Sequence, residues 1–409
     1  MNMKKILIYT ILAACILALS ACSHKQLDPP APEIEVDETA PISFTTGVAG
    51  TKSLIGNNTA DGEVALEKSS TTMQVFDYLT ATDGTVVTYI DDQITGVADG
   101  AWTYANGGPY YWTKTGTHTF FGYLTVSPEG YTKWQWTQKT IDANGTLTQT
   151  PKEVAPILNK ASKTVTISDL EMTPMTTQFD FLYSDVKSYV MPARPTTQNK
   201  AVDLNMKHLF TALGVKIVNK TGEDISNVSV TLTNVHPTQS ATISWDGVTN
   251  GNHPVPTYVP ALSAQKLGNA SDMSLGSAGT KAEPIRNNAT SPLFSGTDGA
   301  YRLLWPQAIL TPPSPSGDAE VIDEEESTDE EDDPEEVEGQ FIIVTYDQSA
   351  RTFKKALNEA FTDITAMEAG KKYLLTITIT SAEVIFNVQV KDLENMNAKE
   401  ESSESFTFT

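Results

Sequence analysis

The chain has 409 residues, 39% of them hydrophobic, and carries 51 acidic against 28 basic residues for a net charge of −23. No cluster of lysine and arginine follows the first few residues, so nucleic acid is excluded as an expected partner. Both cysteines, Cys15 and Cys22, fall in the first 22 residues. The rest of the chain can form no internal disulfide, and its stability must come from apolar burial.

Lys4 and Lys5, an apolar run from Ile6 to about Leu19, and small residues ahead of a cysteine have the order of a secretory leader. The run is short of the roughly 20 apolar residues that span a membrane. Cleavage before Cys15 would use only part of it and leave Ile16, Leu17, Ala18 and Leu19 on the product. Cleavage before Cys22 uses the whole run and starts the product at the polar "SHKQLDPPAP". Residues 1–21 are therefore read as the leader and Cys22 as the lipid acceptor, since Leu19-Ser20-Ala21-Cys22 resembles the lipobox of bacterial lipoproteins. Plain secretion without a lipid is the alternative.

Residues 22–41 are polar, acidic and dotted with proline, as in a linker. From there the apolar residues alternate. Ile42, Phe44 and Val48 occupy even positions of "PISFTTGVAG", which predicts a strand with one buried face. "MQVFDYLTA", "HTFFGYLTV", "KTVTISDL" and "TQFDFLYSD" follow as strands between turn-rich pieces such as "TATDGT" and "DANGT". In the second half Val228, Val230 and Leu232 alternate with Ser229, Thr231 and Thr233. Tyr373, Leu375, Ile377 and Ile379 alternate with threonines, and Val384, Phe386, Val388 and Val390 complete a hairpin with one wet face.

Helical spacing is confined to "MKHLFTAL" (206–213) and "KKALNEAF" (354–361). Many short strands with turn signals every 8 to 15 residues favour β-sandwiches over a barrel or an α/β fold. The prolines of "MPARPTTQNKAVD" set an expected boundary near residue 200, giving domains 42–200 and 201–409. Residues 318–338 hold 14 acidic residues and no basic one; the other 37 acids against 28 bases leave −9, an ordinary surface. Blocks of like charge repel, so 314–339 is expected to be a disordered loop. Calcium-dependent ordering is the alternative, although the run lacks the spaced ligands and turn glycine of a calcium loop.

Little points to catalysis. His24, His118, His208, His236 and His253 are scattered without partners at ligand spacing, and no GxSxG, P-loop, HExxH or GxGxxG occurs. The expectation is a chain that is not an enzyme and uses no metal or cofactor. Trp134 and Trp136 share a face if "YTKWQWTQ" is a strand. Such a pair either stacks on a sugar, as in a surface glycan-binding lipoprotein, or packs in a core.

Four segments in order carry a family resemblance. "LSAC" with a proline-rich stretch leads into "ISFTTGVAGTKS". "PYYWTKTGTHTFFGYLTVSPEG", "LNMKHLFTALGVKIVNKTG" and "MEAGKKYLLTITIT" follow, with His208 displaced from the family's usual order. Together they resemble the fimbrillin-like family of Bacteroidales, which comprises subunits of type V pili and their tip or anchor proteins. The resemblance implies an all-β chain of two transthyretin-like β-sandwich domains in tandem after a lipoprotein leader and linker. It implies export to the outer membrane on a lipid at Cys22, then a place in a cell-surface fimbrium. Its partners would be other pilin subunits, joined by β-strand addition, and a host or bacterial surface ligand. In that scheme Lys52 is the cleavage site, Ile42, Phe44 and Val48 are pegs of a removable strand, and Phe406 and Phe408 of "SFTFT" are pegs of a donor strand. Anchor subunits and some tip subunits keep the first strand, and the sequence leaves stalk, tip and anchor open.

Overall fold

The computed structural model describes residues 34–45, 53–55, 63–65, 71–96, 102–126, 130–141, 146–172, 180–193, 201–266, 271–292, 301–311, 339–346 and 351–392. The leader, Cys22, Val48, Lys52, the acidic run and both Phe406 and Phe408 lie outside these residues. Among the described residues the elements are strands, apart from a 3-10 turn at Leu262–Ala264 and one helical turn at Leu357–Ala360. The all-β expectation holds.

The strands close around two apolar cores. At the centre of the first, Thr72–Thr80 pairs antiparallel with Val86–Gly96 on one side and Thr117–Val126 on the other. Eight successive residues of Thr72–Thr80 are buried, so this sheet is covered on both faces. Side-chain alternation on a strand explains how: neighbouring Phe120 and Phe121 point to opposite faces. Phe121 stacks on Trp245 at 4.4 Å, whereas Phe120 meets Trp112 at 5.6 Å and Phe44 at 6.0 Å. Trp245 follows Thr238–Ser244, a strand of a second sheet ordered Ile157–Asn159, Thr164–Glu171, Thr238–Ser244 and Thr257–Val259. That sheet's Val165, Ile167, Ala241 and Ile243 are buried in the same core.

The second core is aliphatic and more regular. Thr211–Lys220 runs parallel to Lys371–Thr380, which pairs antiparallel with Val384–Asp392 without a register shift. Tyr373, Leu375, Ile377 and Ile379 point inward as their alternation predicts, against Val228, Val230 and Leu232 of the facing sheet. Val384, Phe386 and Val388 are only partly buried on this core, and Val390, expected with them, is 43% exposed. It sits near the end of an edge strand, beyond the reach of the facing sheet's cover.

Both helical expectations need correction. "MKHLFTAL" forms the strand Met206–His208 and the start of Thr211–Lys220. Here the chain passes from one core to the other, with Ala212 in the first and Leu213 in the second. Burial on both faces removes the polar positions that mark a strand's period of two, and the apolar spacing then mimics a helix. "KKALNEAF" is helical at Leu357–Ala360 alone, one turn, while Lys354, Lys355 and Ala356 before it end the strand Arg351–Ala356.

Candidate functional site

The segment at residues 34–45 is the candidate. Val36–Pro41 pairs antiparallel with Tyr111–Thr113, at Val36 opposite Thr113 and Pro41 opposite Tyr111, with the register interrupted between them. Asp37 is the local cause: its carboxylate accepts from the Thr39 backbone N–H at 3.2 Å and from the Thr39 hydroxyl at 2.6 Å, which turns the chain locally. Ser43–Thr45 then pairs parallel with Ala201–Asp203. Further backbone bonds run from Ile42 N–H to Tyr110 C=O at 2.7 Å, Lys114 N–H to Glu35 C=O at 2.9 Å and Leu204 N–H to Thr45 C=O at 2.9 Å.

Two side chains plug this segment into the first core. Ile42 and Phe44 are 1% and 5% exposed. Phe44 makes edge contacts at 6.0 Å with both Tyr104 and Phe120, and the Tyr104 hydroxyl donates to Ile42 C=O at 2.9 Å. Burial of such side chains contributes about 1.5–3 kcal/mol each. The paired strands, Tyr111–Thr113 and Ala201–Asp203, have only three residues apiece. The segment thus joins the body through short ladders and apolar pegs, without entering the long central ladder.

A polar relay lies beneath the strand that receives it. Asp77 contacts His118 Nδ1 through one carboxylate oxygen and accepts from the Thr119 N–H at 3.1 Å through the other. His118 Nε2 lies 2.8 Å from the Thr113 hydroxyl, which donates to Thr115 C=O at 2.6 Å. Burial pushes the Asp77 carboxyl above its ordinary range, against the opposing pull of His118 and the Thr119 N–H. The order Asp–His–Thr resembles a nucleophile relay, but Asp77 and His118 are both 0% exposed. Trp112 and Tyr89 close over the imidazole at 5.1 and 5.5 Å. Its visible effect is to fix Thr113, and with it the rail on which Val36–Pro41 lies.

A second buried pair joins His208 Nδ1 to Asp180 at 2.7 Å. Neither aspartate was marked by a motif, although each carries a signal, an acid between aromatics: Asp77 in "FDY" within Thr72–Thr80 and Asp180 in "FDF" just before Leu182–Ser184. Among the described residues no group of three or more histidine, cysteine, aspartate or glutamate side chains is placed to hold a metal ion, and no helix is long and apolar enough to cross a membrane.

The exposed tryptophan platform is overturned. Trp134 is 0% and Trp136 6% exposed. Trp134 packs on Phe181 and Phe210, and the Trp136 indole N–H donates to Glu171 at 3.0 Å. Trp112 is buried as well. Large amphipathic rings on the outer strands filled the space between sheets, so the glycan-binding reading loses its surface.

Stacked sheets around two cores, with a segment held at the margin by Ile42 and Phe44, define an all-β protein of the β-sandwich class. The chain belongs to the fimbrillin-like family, whose model matches residues 60–392. Among solved structures it is similar to a putative cell adhesion protein from Bacteroides uniformis ATCC 8492, at 16% identity and a TM-score of 0.46 over 87% of this chain and 98% of that one. A fimbrial protein from Bacteroides vulgatus ATCC 8482 aligns at 12% identity and a TM-score of 0.41, covering 87% and 99% of the two chains. The tip fimbrial protein Mfa3 from Porphyromonas gingivalis, with C-terminal truncation, aligns at 12% identity and a TM-score of 0.37, covering 81% and 96%. A search of curated proteins finds no match to the chain.

Proposed function

We propose that the chain is a subunit of a type V pilus, exported as a lipoprotein on Cys22 to the outer membrane and then built into a cell-surface fimbrium by strand exchange. The single observation that carries this reading is the manner in which residues 34–45 are held. Ile42 and Phe44 are buried against Tyr104 and Phe120, while the segment's backbone pairs with two three-residue strands and the residues flanking them. A cut after Lys52 would free the segment together with its lipid and leave an apolar groove at its place. A strand of a neighbouring subunit could then restore both the backbone bonds and the two pegs, which is strand addition at an exposed edge. Val48 extends the removable strand in this scheme, and Phe406 and Phe408 supply the entering pegs.

The test is treatment of the purified lipidated precursor with a protease specific for lysine and arginine. One discrete cut near Lys52 followed by a ladder of polymers supports the scheme, and Lys52→Ala should abolish both. Cleavage elsewhere, or cleavage near Lys52 without assembly, would refute strand exchange at this segment.

A further inference from the structure

The chain passes between the two cores several times, and four buried glutamines sit where it does so. Gln239 lies just after the passage from Val228–Val235 in the second core to Thr238–Ser244 in the first. Gln307 lies between Trp305 of the first core and Ile309 of the second. Gln265 follows the first core's sheet, and Gln340 precedes the second core's strand Phe341–Tyr346. None of the four is more than 4% exposed.

Their amides act on backbone. Gln307 accepts from His236 N–H at 2.9 Å and donates to His236 C=O at 2.7 Å, so one side chain reproduces the two bonds of a strand pairing. Gln340 does the same to the crossing segment, accepting from Leu310 N–H at 2.8 Å and donating to Ala308 C=O at 3.2 Å. Gln265 accepts from Ala308 N–H at 2.7 Å, and both Gln265 and Gln239 donate to Pro306 C=O, at 3.3 and 3.2 Å. Arg302 spans the same junction, donating to Ser274 C=O on the second-core side at 2.6 Å and to Met172 C=O on the first at 3.3 Å. A buried backbone group that loses its partner is costly, so these crossings cannot separate without stranding several such groups at once.

We infer that the four glutamines splice the two cores into one cooperative unit, so that the subunit has no hinge between them and neither core unfolds without the other. Ordinary apolar contact would let two cores slide or open independently. Gln307, Gln340 and Gln265 each grip a donor and an acceptor, and Gln239 adds donor bonds to His236 and Pro306 C=O, which together fix the crossing strands in one register.

The composition of the cores provides the readout. All six tryptophans, Trp102, Trp112, Trp134, Trp136, Trp245 and Trp305, belong to the first core. Tryptophan fluorescence therefore follows the first core in a urea titration, and amide hydrogen exchange in Tyr373–Ile379 follows the second. Coincident midpoints are expected for the unaltered chain, the mark of one cooperative transition. In Gln307→Ala/Gln340→Ala the two midpoints should separate by at least ~0.5 M urea. Separate midpoints in the unaltered chain would overturn the inference, as would midpoints that stay together in the double variant however far both fall. Should the double variant not fold, Gln265→Ala is read by the same criterion, with a smaller separation expected.

Discussion

The two cores reach similar burial by different chemistry. The first is aromatic: Phe76, Phe120, Phe121, Trp112, Trp134 and Trp245 fill a sheet covered on both faces, and buried His–Asp pairs sit among them. The second is built from valine, leucine and isoleucine on an uninterrupted ladder, with Tyr346, Phe361 and Tyr373 as its fully buried rings. Large rings tolerate irregular partners, since each buries much area through few contacts. That suits a core of which one wall would, in the scheme proposed above, be exchanged for a neighbour's strand. Branched aliphatic side chains fill a regular ladder with little slack, which suits a core that stays closed.

The comparison can be broken at its polar points first. Asp77→Ala leaves His118 without its partner at full burial, and should cost about 3–5 kcal/mol in urea unfolding. The lesion belongs to the first core alone, yet splicing predicts that hydrogen exchange in Tyr373–Ile379 accelerates by the same free energy. Leu375→Ala, a cavity in the aliphatic core, should cost about 2–5 kcal/mol and lower the tryptophan-detected midpoint with it.

Alkaline pH sharpens the contrast from the aromatic side. Burial in the first core pushes the Tyr123 phenol up to about 12, and burial also raises Tyr258. An unfolded tyrosine ionises near pH 10, so this stabilisation is fully present below that value and is lost as pH rises through the folded pKa. Stability should fall by about 1.4 kcal/mol per pH unit for each such phenol between pH 10 and 12, as followed by urea titrations at stepped pH. Trp136→Phe keeps one aromatic ring but removes the indole bond to Glu171 and part of the buried ring, for an expected loss of about 1–2 kcal/mol. Smallest of all is Lys160→Ala, which removes an exposed pairing with Asp91 and should change stability by about 0–1 kcal/mol in the same assay.

The second core was the more legible of the two in the sequence, and the reason is geometric. Its strands keep one wet face, so Tyr373, Leu375, Ile377 and Ile379 alternate openly with threonine. Strands of the first core such as "MQVFDYLT" are wet on neither face, and their inward set could not be told from their outward set. The same double burial disguised 206–213 as a helix. Ile42 and Phe44 were legible as the buried face of a strand because they alternate with polar residues in "PISFTT". The tryptophans were ambiguous because a ring that stacks on a sugar and a ring that fills a core obey the same alternation. Nothing local in "HPTQSATISW" announces that this stretch returns to the first core, since the passage depends on partners distant in the chain, such as Thr164–Glu171 and Gln307. The glutamines were invisible for a related reason: a buried amide and a solvated one look alike until the backbone they grip is in place.

The parallel pairing of Thr211–Lys220 with Lys371–Thr380 also fixes a timetable. These neighbours meet across a separation of 160 residues, at Thr211 and Lys371, and closing so long a loop is slow compared with forming a local hairpin. The first core is little earlier, because it lacks Trp245 and Trp305 until those residues arrive. The first core therefore cannot finish before Trp305 is supplied, nor the second before Lys371–Thr380. The apolar strand Thr211–Lys220 of the second core waits without its parallel partner until Lys371–Thr380 has emerged.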